Sequence, residues 1–168
     1  MTDPTIRELL SYRLHQVANL LSRGAEMRYR REFGVSLWEW RTVALLGGAS
    51  EAQSLNELAR AAGMDKGQMS RVVSGLTKRE IIYREADAND ARGIRLSLTR
   101  SGKKLYQKLI RAAAERNSAF LGCLSAQERA CLEKAMTKLA HEARSFIQLE
   151  KENRGQSTIS RAVGMVRQ

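Results

Sequence analysis

Lys66, Gln68, Ser70, Arg71, Ser74 and Lys78 stand together in the stretch GMDKGQMSRVVSGLTKREI, from Gly63 to Ile81. These side chains can read a polyanion. Arginine pairs bidentately with guanine, glutamine with adenine, and the N–H groups that open a helix bind phosphate. Between them Met69, Val72, Val73 and Leu76 fall at i, i+3, i+4 and i+7, one apolar stripe of an amphipathic helix. The polar residues are left outside. Asp65 suits the N-cap, with Gln68 three residues on able to return a hydrogen bond.

Elements of the right kind flank this helix. Three S-x-x-E boxes, Ser36–Glu39, Ser54–Glu57 and Ser125–Glu128, predict helix starts. The first opens SLWEWRTVALLGG, and the second opens SLNELARAAG with Gly63 as its left-handed stop. Only a tight turn separates Gly63 from Asp65, so two short helices form a helix-turn-helix. The period then changes. Ile94, Leu96 and Leu98 alternate with Arg95 and Ser97, and DANDARG between two β-rich runs reads as a hairpin with a basic tip. Long helices follow from the stripes Leu10, Leu14, Val17, Leu21 and Leu105, Leu109, Ala113, Phe120 and Leu132, Met136, Leu139, Ala143, Phe146, Ile147. Their apolar surface exceeds what a small domain covers, which predicts a partner chain.

With 168 residues the chain builds its core without staples. Its formal charge is +11, from 29 Lys and Arg against 18 Asp and Glu, which favours nucleic acid or another anionic partner. From Gly63 to Lys104 ten basic residues stand against five acidic ones, so the excess centres on the polar-fronted helix. Cys123 and Cys131 are the only cysteines and lie outside any C-x-x-C or Cys/His cluster, which argues against a disulfide scaffold or a structural zinc. His15 and His141 sit far apart on amphipathic helices. Without a glycine-rich phosphate loop, a nucleophile elbow or metal-ligand spacing, no enzyme, cofactor or metal site is expected. No leader or apolar run near the roughly 20 residues of a membrane span is present, so a soluble, cytoplasmic protein without a membrane partner is expected.

The order of these elements resembles the MarR (multiple antibiotic resistance regulator) family of winged helix transcription factors. DANDARGIRLSLTRSG is similar to the family's wing at Asp87, Asp90, Arg92, Leu98, Thr99 and Gly102. SLWEWRTVALL resembles the preceding helix at Ser36, Trp40, Arg41 and Leu46, and MSRVVSGL lies at the recognition helix. Glu80 stands where the family usually has a glycine, at a cost of roughly 1 kcal/mol in the left-handed region. Ala91 replaces a common second basic residue of the wing tip.

The resemblance implies a mainly α fold with a small β-hairpin wing: an N-terminal dimerisation helix at 6–32, a winged helix-turn-helix at 36–99, C-terminal dimerisation helices at 99–149, and a polar tail at 150–168, disordered or a short helix. It implies a homodimer on a palindromic double-stranded DNA operator. Lys66, Gln68, Ser70, Arg71 and Ser74 would meet the major groove, and Arg92 and Arg95 would act from the wing, with Asp90 bracing it. It also implies a small, often anionic aromatic effector, for which Tyr12, His15, Trp38, Trp40 and Arg41 are the candidate lining; a tryptophan on such a helix is also an ordinary core residue. Two other readings are a redox sensor acting through Cys123 or Cys131, which flank a helix–helix turn, and an architectural DNA binder without an effector. The last would lack the site preference of roughly 10³ or more that a regulator has.

Overall fold

Caps decide where the helices begin. Ser36 opens α2 (Leu37–Gly48): its hydroxyl accepts from the Glu39 amide at 3.2 Å, and the Glu39 carboxylate accepts from the Ser36 N–H at 2.7 Å. Ser54 with Glu57 does the same for α3 (Leu55–Ala62), and Ser125 with Glu128 for α6 (Ala126–Met165). The Ser54 and Ser125 donors hold both carboxyls below the usual carboxylate range, so this stabilisation is complete above that range and is lost as pH falls through the lowered pKa. A fourth box, Thr5–Glu8, has a related T-x-x-E signature. It opens one 3-10 turn, Ile6–Glu8; Leu9 is then extended, and the helix expected from residue 6 begins only at Leu10. This α1 (Leu10–Phe33) ends at Gly34 with φ 64°.

The computed structural model describes residues 5–87 and 93–165, and side chains as far as residue 153. It divides into two units, Met1–Glu115 and Arg116–Gln168. In the first, α3 stops at Gly63 (φ 66°), and α4 (Lys66–Lys78) follows, capped by Asp65 Oδ1 accepting the Gln68 N–H at 2.9 Å. The return bond expected from the Gln68 side chain is not among the hydrogen bonds of the described residues. Strands β2 (Ile82–Ala86) and β3 (Ile94–Leu98) pair antiparallel from Ile82 opposite Leu98 to Ala86 opposite Ile94. The Asp87 N–H donates to the Gly93 carbonyl at 2.9 Å beyond the last pair. Two polar residues, Gln53–Ser54, add β1 to the outer edge of β3, giving the order β1-β3-β2. No two-residue polar strand announces itself by alternation. Leu96 and Leu98 are buried, whereas Ile94 is 48% exposed, because it stands toward the free end of the hairpin, away from the core.

The core is one cluster. Tyr29 of α1, Val35, Val43 of α2, Leu58 of α3, Met69, Val73 and Leu76 of α4, Ile82, Leu96 and Leu109 of α5 (Arg100–Gly122) are all essentially inaccessible. Beyond it the terminal stripes stay open. Leu10, Leu14, Val17 and Leu21 are 40–56% exposed, and Leu132, Met136, Leu139, Phe146 and Ile147 are 38–61% exposed. The tail expected from residue 150 is instead the continuation of α6 to Met165. No proline interrupts it, and Gly155 and Gly164 within a helix cost only about 1 kcal/mol each.

Glu80 is the one non-glycine residue with positive φ among the described residues, at 55°. The turn is nevertheless well held. Ile81 N–H donates to Leu76 O at 2.9 Å, and the Glu80 carbonyl accepts the hydroxyls of Thr99 at 2.6 Å and Ser101 at 2.7 Å. Gly102 packs its bare Cα against the Ile81 carbonyl, where any Cβ would collide with backbone oxygen. Glu80→Gly should therefore leave stability unchanged or raise it by up to about 1 kcal/mol, as relief of the left-handed backbone offsets the freer unfolded chain. Gly102→Ala should cost about 3 kcal/mol, since backbone cannot step aside as a side chain can. Urea unfolding of the two variants checks both signs.

Candidate nucleic-acid interface

α4 is seated by its apolar stripe. Met69, Val73 and Leu76 are fully buried, and the Thr42 hydroxyl of α2 lies 3.6 Å from the Met69 sulfur. On the opposite line Arg71, Ser74 and Lys78 succeed one another at i, i+3 and i+7, with Lys66 and Gln68 on the first turn. Lys66, Gln68, Arg71 and Lys78 are exposed, and Ser70 and Ser74 are half-buried. Lys78 belongs to this face on geometry. The sequence puts it on the polar side of the helix but not among the residues that would meet the major groove, although its spacing from Arg71 carries the signal.

The cations around α4 divide into held and unheld. Arg79 donates to Glu39 at 2.9 Å and to the Gly34 carbonyl at 3.3 Å. Arg84 donates to the Ser74 hydroxyl at 3.2 Å. Arg95, grouped by sequence with the DNA-contacting residues, ion-pairs with Glu57 at 3.0 Å and with Asp87 at 2.9 Å. It ties the hairpin to the start of α3 and is not a free charge; a partner 38 residues away left no trace in the local sequence. Among the described residues, Lys66, Arg71 and Lys78 have no hydrogen-bond or ion-pair partner. The wing-tip residues Asp90, Ala91 and Arg92 lie outside the described residues.

A cleft of about 480 Å³ separates the start of α3 from the base of the hairpin, lined by Ser54, Asn56, Lys66, Asp87 and Ile94 among others. Backbone N–H groups at a helix start beside a lysine suit a phosphate. Lys66, the first residue of α4, joins this cleft to the α4 face.

The five residues considered for an effector do not converge. Trp40 is 8% exposed and packs on Tyr29, with ring centroids 5.2 Å apart. Trp38 is exposed, and the Arg41 guanidinium lies 4.8 Å above its ring while donating to the Ser22 hydroxyl of α1 at 3.3 Å. A shallow pocket of about 330 Å³ joins Trp40 and Arg41 to Ala44, Leu45, Ala61 and Ala62. Tyr12 and His15 lie farther back along α1, where His15 shares a 2.9 Å hydrogen bond with Asn19. His15 is thus about 10 Å from Ser22 along the helix axis. Cys123 and Cys131 are both free and exposed. No cluster of three or more metal-ligating side chains occurs among the described residues. No helix among them is long and apolar enough to cross a membrane.

Comparison with known proteins agrees with this arrangement. A model of the MarR family matches residues 33–93, from the end of α1 to the hairpin. Among solved structures, a MarR/EmrR family transcriptional regulator from Acinetobacter sp. ADP1 is 26% identical with a TM-score of 0.77, over 84% of this chain and 99% of that one. AbsC, a MarR family transcriptional regulator from Streptomyces coelicolor, shares the fold at 22% identity and TM-score 0.74, over 86% and 99% of the chains. The S. aureus MepR–DNA complex does so at 22% and 0.73, over 80% and 98%. The helix-turn-helix, the hairpin braced beside it and the long flanking helices thus recur together in these regulators: residues 33–93 match the MarR family model, and the fold is that of MarR family transcriptional regulators.

Proposed function

We propose that the protein is a transcriptional repressor that binds a palindromic operator as a homodimer and is released by a small anionic aromatic molecule. The observation that carries the DNA reading is the polar face of α4, where Lys66, Arg71 and Lys78 have no partner among the described residues. Lys66, Gln68 and Arg71 project from a helix locked into the core, while neighbouring arginines are spent on internal bonds. MepR, of the same fold, is solved bound to DNA. In this reading α4 enters the major groove, Ser70 and Arg71 reach base edges or phosphates, and Ser74 and Lys78 continue the line. Arg92 follows the minor groove from the wing, and Arg95 positions the wing that carries it.

Dimerisation accounts for the open stripes on α1 and α6. A chain leaving Leu10 to Ile147 exposed in two long rows has much to gain from a second copy. Light scattering should give twice the mass of one chain at micromolar concentration; a well-folded monomer would remove this part of the reading.

The two DNA-contacting elements should supply different kinds of energy. Arg71→Ala should cost about 1–3 kcal/mol, concentrated at one position of each half-site if the contact is to a base. Arg92→Ala should weaken specific and random duplexes alike and reduce the salt slope by about one per subunit. Fluorescence anisotropy at several salt concentrations distinguishes them, and a wing that acts as proposed is excluded if Arg92→Ala binds like the parent throughout.

For release, the Arg41–Trp38 pair is the best-supported contact, since a planar cation on an aromatic face suits a carboxylate. A 100-fold loss of DNA affinity on ligand binding requires about 2.7 kcal/mol of differential affinity between two dimer forms. Arg41→Ala should abolish the response to an aromatic acid while leaving unliganded DNA binding nearly intact. A panel of such acids that moves neither DNA affinity nor melting temperature would exclude the effector.

A further inference from the structure

The outward face of α5 is basic for three turns. Gly102, Leu109 and Ala112 are buried, and Leu105, Tyr106 and Ala113 pack against the core. At 3.6 residues per turn, Arg100, Lys103, Lys104, Lys108 and Arg111 fall on the opposite side. All five are exposed, and among the described residues none has a hydrogen-bond or ion-pair partner. The first acidic residue of the helix is Glu115, whose carboxylate is taken by Arg28 at 2.8 Å. The ridge extends about 16 Å along the axis. At its start it opens into a groove of about 890 Å³ where Arg84, Arg100 and Lys104 meet Glu80, beside the end of α4.

A merely solvated surface mixes its signs, as the charged residues of α6 do with Glu128, Arg129, Glu133, Lys134, Lys138 and Glu142. On α5 like charges stand at i, i+3 and i+4 without relief, an arrangement that destabilises a helix on its own. A polyanion relieves it. The face carries no aromatic side chain and has Ile110 only at its edge, so it lacks the apolar centre that a protein interface requires. Cations one turn apart, about 6 Å in rise, instead match a continuous row of phosphates.

We infer that this α5 ridge binds the phosphate backbone of duplex DNA beyond the operator contacted by α4. The inference rests on the DNA-binding reading and extends it. The phosphates are those that flank the operator on the same duplex; a second duplex is the competing source.

The test compares Lys104→Gln/Lys108→Gln/Arg111→Gln with a control, Lys134→Gln/Lys138→Gln/Arg144→Gln, that removes the same charge from α6. The probes are a duplex of about 20 base pairs selected by the parent from a random pool, long enough for two half-sites, and the same duplex extended to about 60. The parent and the control should bind the longer duplex about tenfold more tightly than the short one at low salt, and the ridge variant should lose that advantage. The ridge variant's salt slope on the long duplex should also fall by up to about five, for six cations removed per dimer. The short duplex should bind all three proteins within about twofold. Recovery of a labelled second duplex on an immobilised first, by the parent and not by the ridge variant, assigns the phosphates to a second duplex; a length advantage without such recovery assigns them to the flank. The inference is overturned if the ridge variant keeps the parent's length advantage, which leaves the ridge to an acidic protein, or if the control loses it equally, which reduces the effect to net charge. A parent that binds neither duplex overturns the DNA-binding reading itself, with this inference.

Discussion

The carbonyl of Glu80 accepts two hydroxyls, from Thr99 and Ser101, and four elements meet at that oxygen. α4 ends two residues before Glu80 at Lys78, β2 begins two residues after it at Ile82, β3 has just finished at Leu98, and α5 starts at Arg100. The Thr99 N–H adds a bond to Ile81 O at 3.0 Å, and the Thr99 hydroxyl also accepts the Gly102 N–H at 3.0 Å. These bonds join the end of α4 to the starts of β2 and α5 through one polar knot. A left-handed Glu80 is tolerated because its neighbours overdetermine it.

From that knot outward the structure separates its arginines by role. Arg79, Arg84 and Arg95 each turn back to a protein oxygen, and together they tie α4 to α2 and the hairpin to α3 and α4. These exposed pairs contribute little stability individually. Their use is geometric, since they orient the two elements that a duplex would meet. Arg71 and Lys66 have no such partner among the described residues and stay exposed. A charge count along the sequence cannot make this division, because a spent arginine and a free one have the same formal charge.

Much of the fold was legible because its signals are local. Ser36, Ser54 and Ser125 with their glutamates three residues on mark helix starts, and Asp65 and Gly63 mark the turn between α3 and α4. The burial of Met69, Val73 and Leu76 follows from their spacing alone. Glu80 was readable only against a family pattern, yet its φ of 55° is what that pattern implies. β1 escaped, since Gln53–Ser54 becomes a strand only by pairing with Leu96 and Arg95 more than forty residues later.

The candidate sites divide along the same line. Which residues form the outer face of α4 follows from helical period, so Lys66, Gln68, Arg71 and Ser74 could be named from sequence. Which tryptophan stays exposed and which fills the core could not, because Trp38 and Trp40 share one helix and one composition. The packing of α1 against α2 decided it, placing Trp40 against Tyr29 and leaving Trp38 outside under Arg41. The sequence by itself determined the helices, their caps, the turn and the excess of positive charge, all set within a few residues by hydrogen-bond and hydrophobic period. Only the tertiary structure decided which of those charges are neutralised internally, because the carboxylate that claims an arginine is brought beside it by the fold.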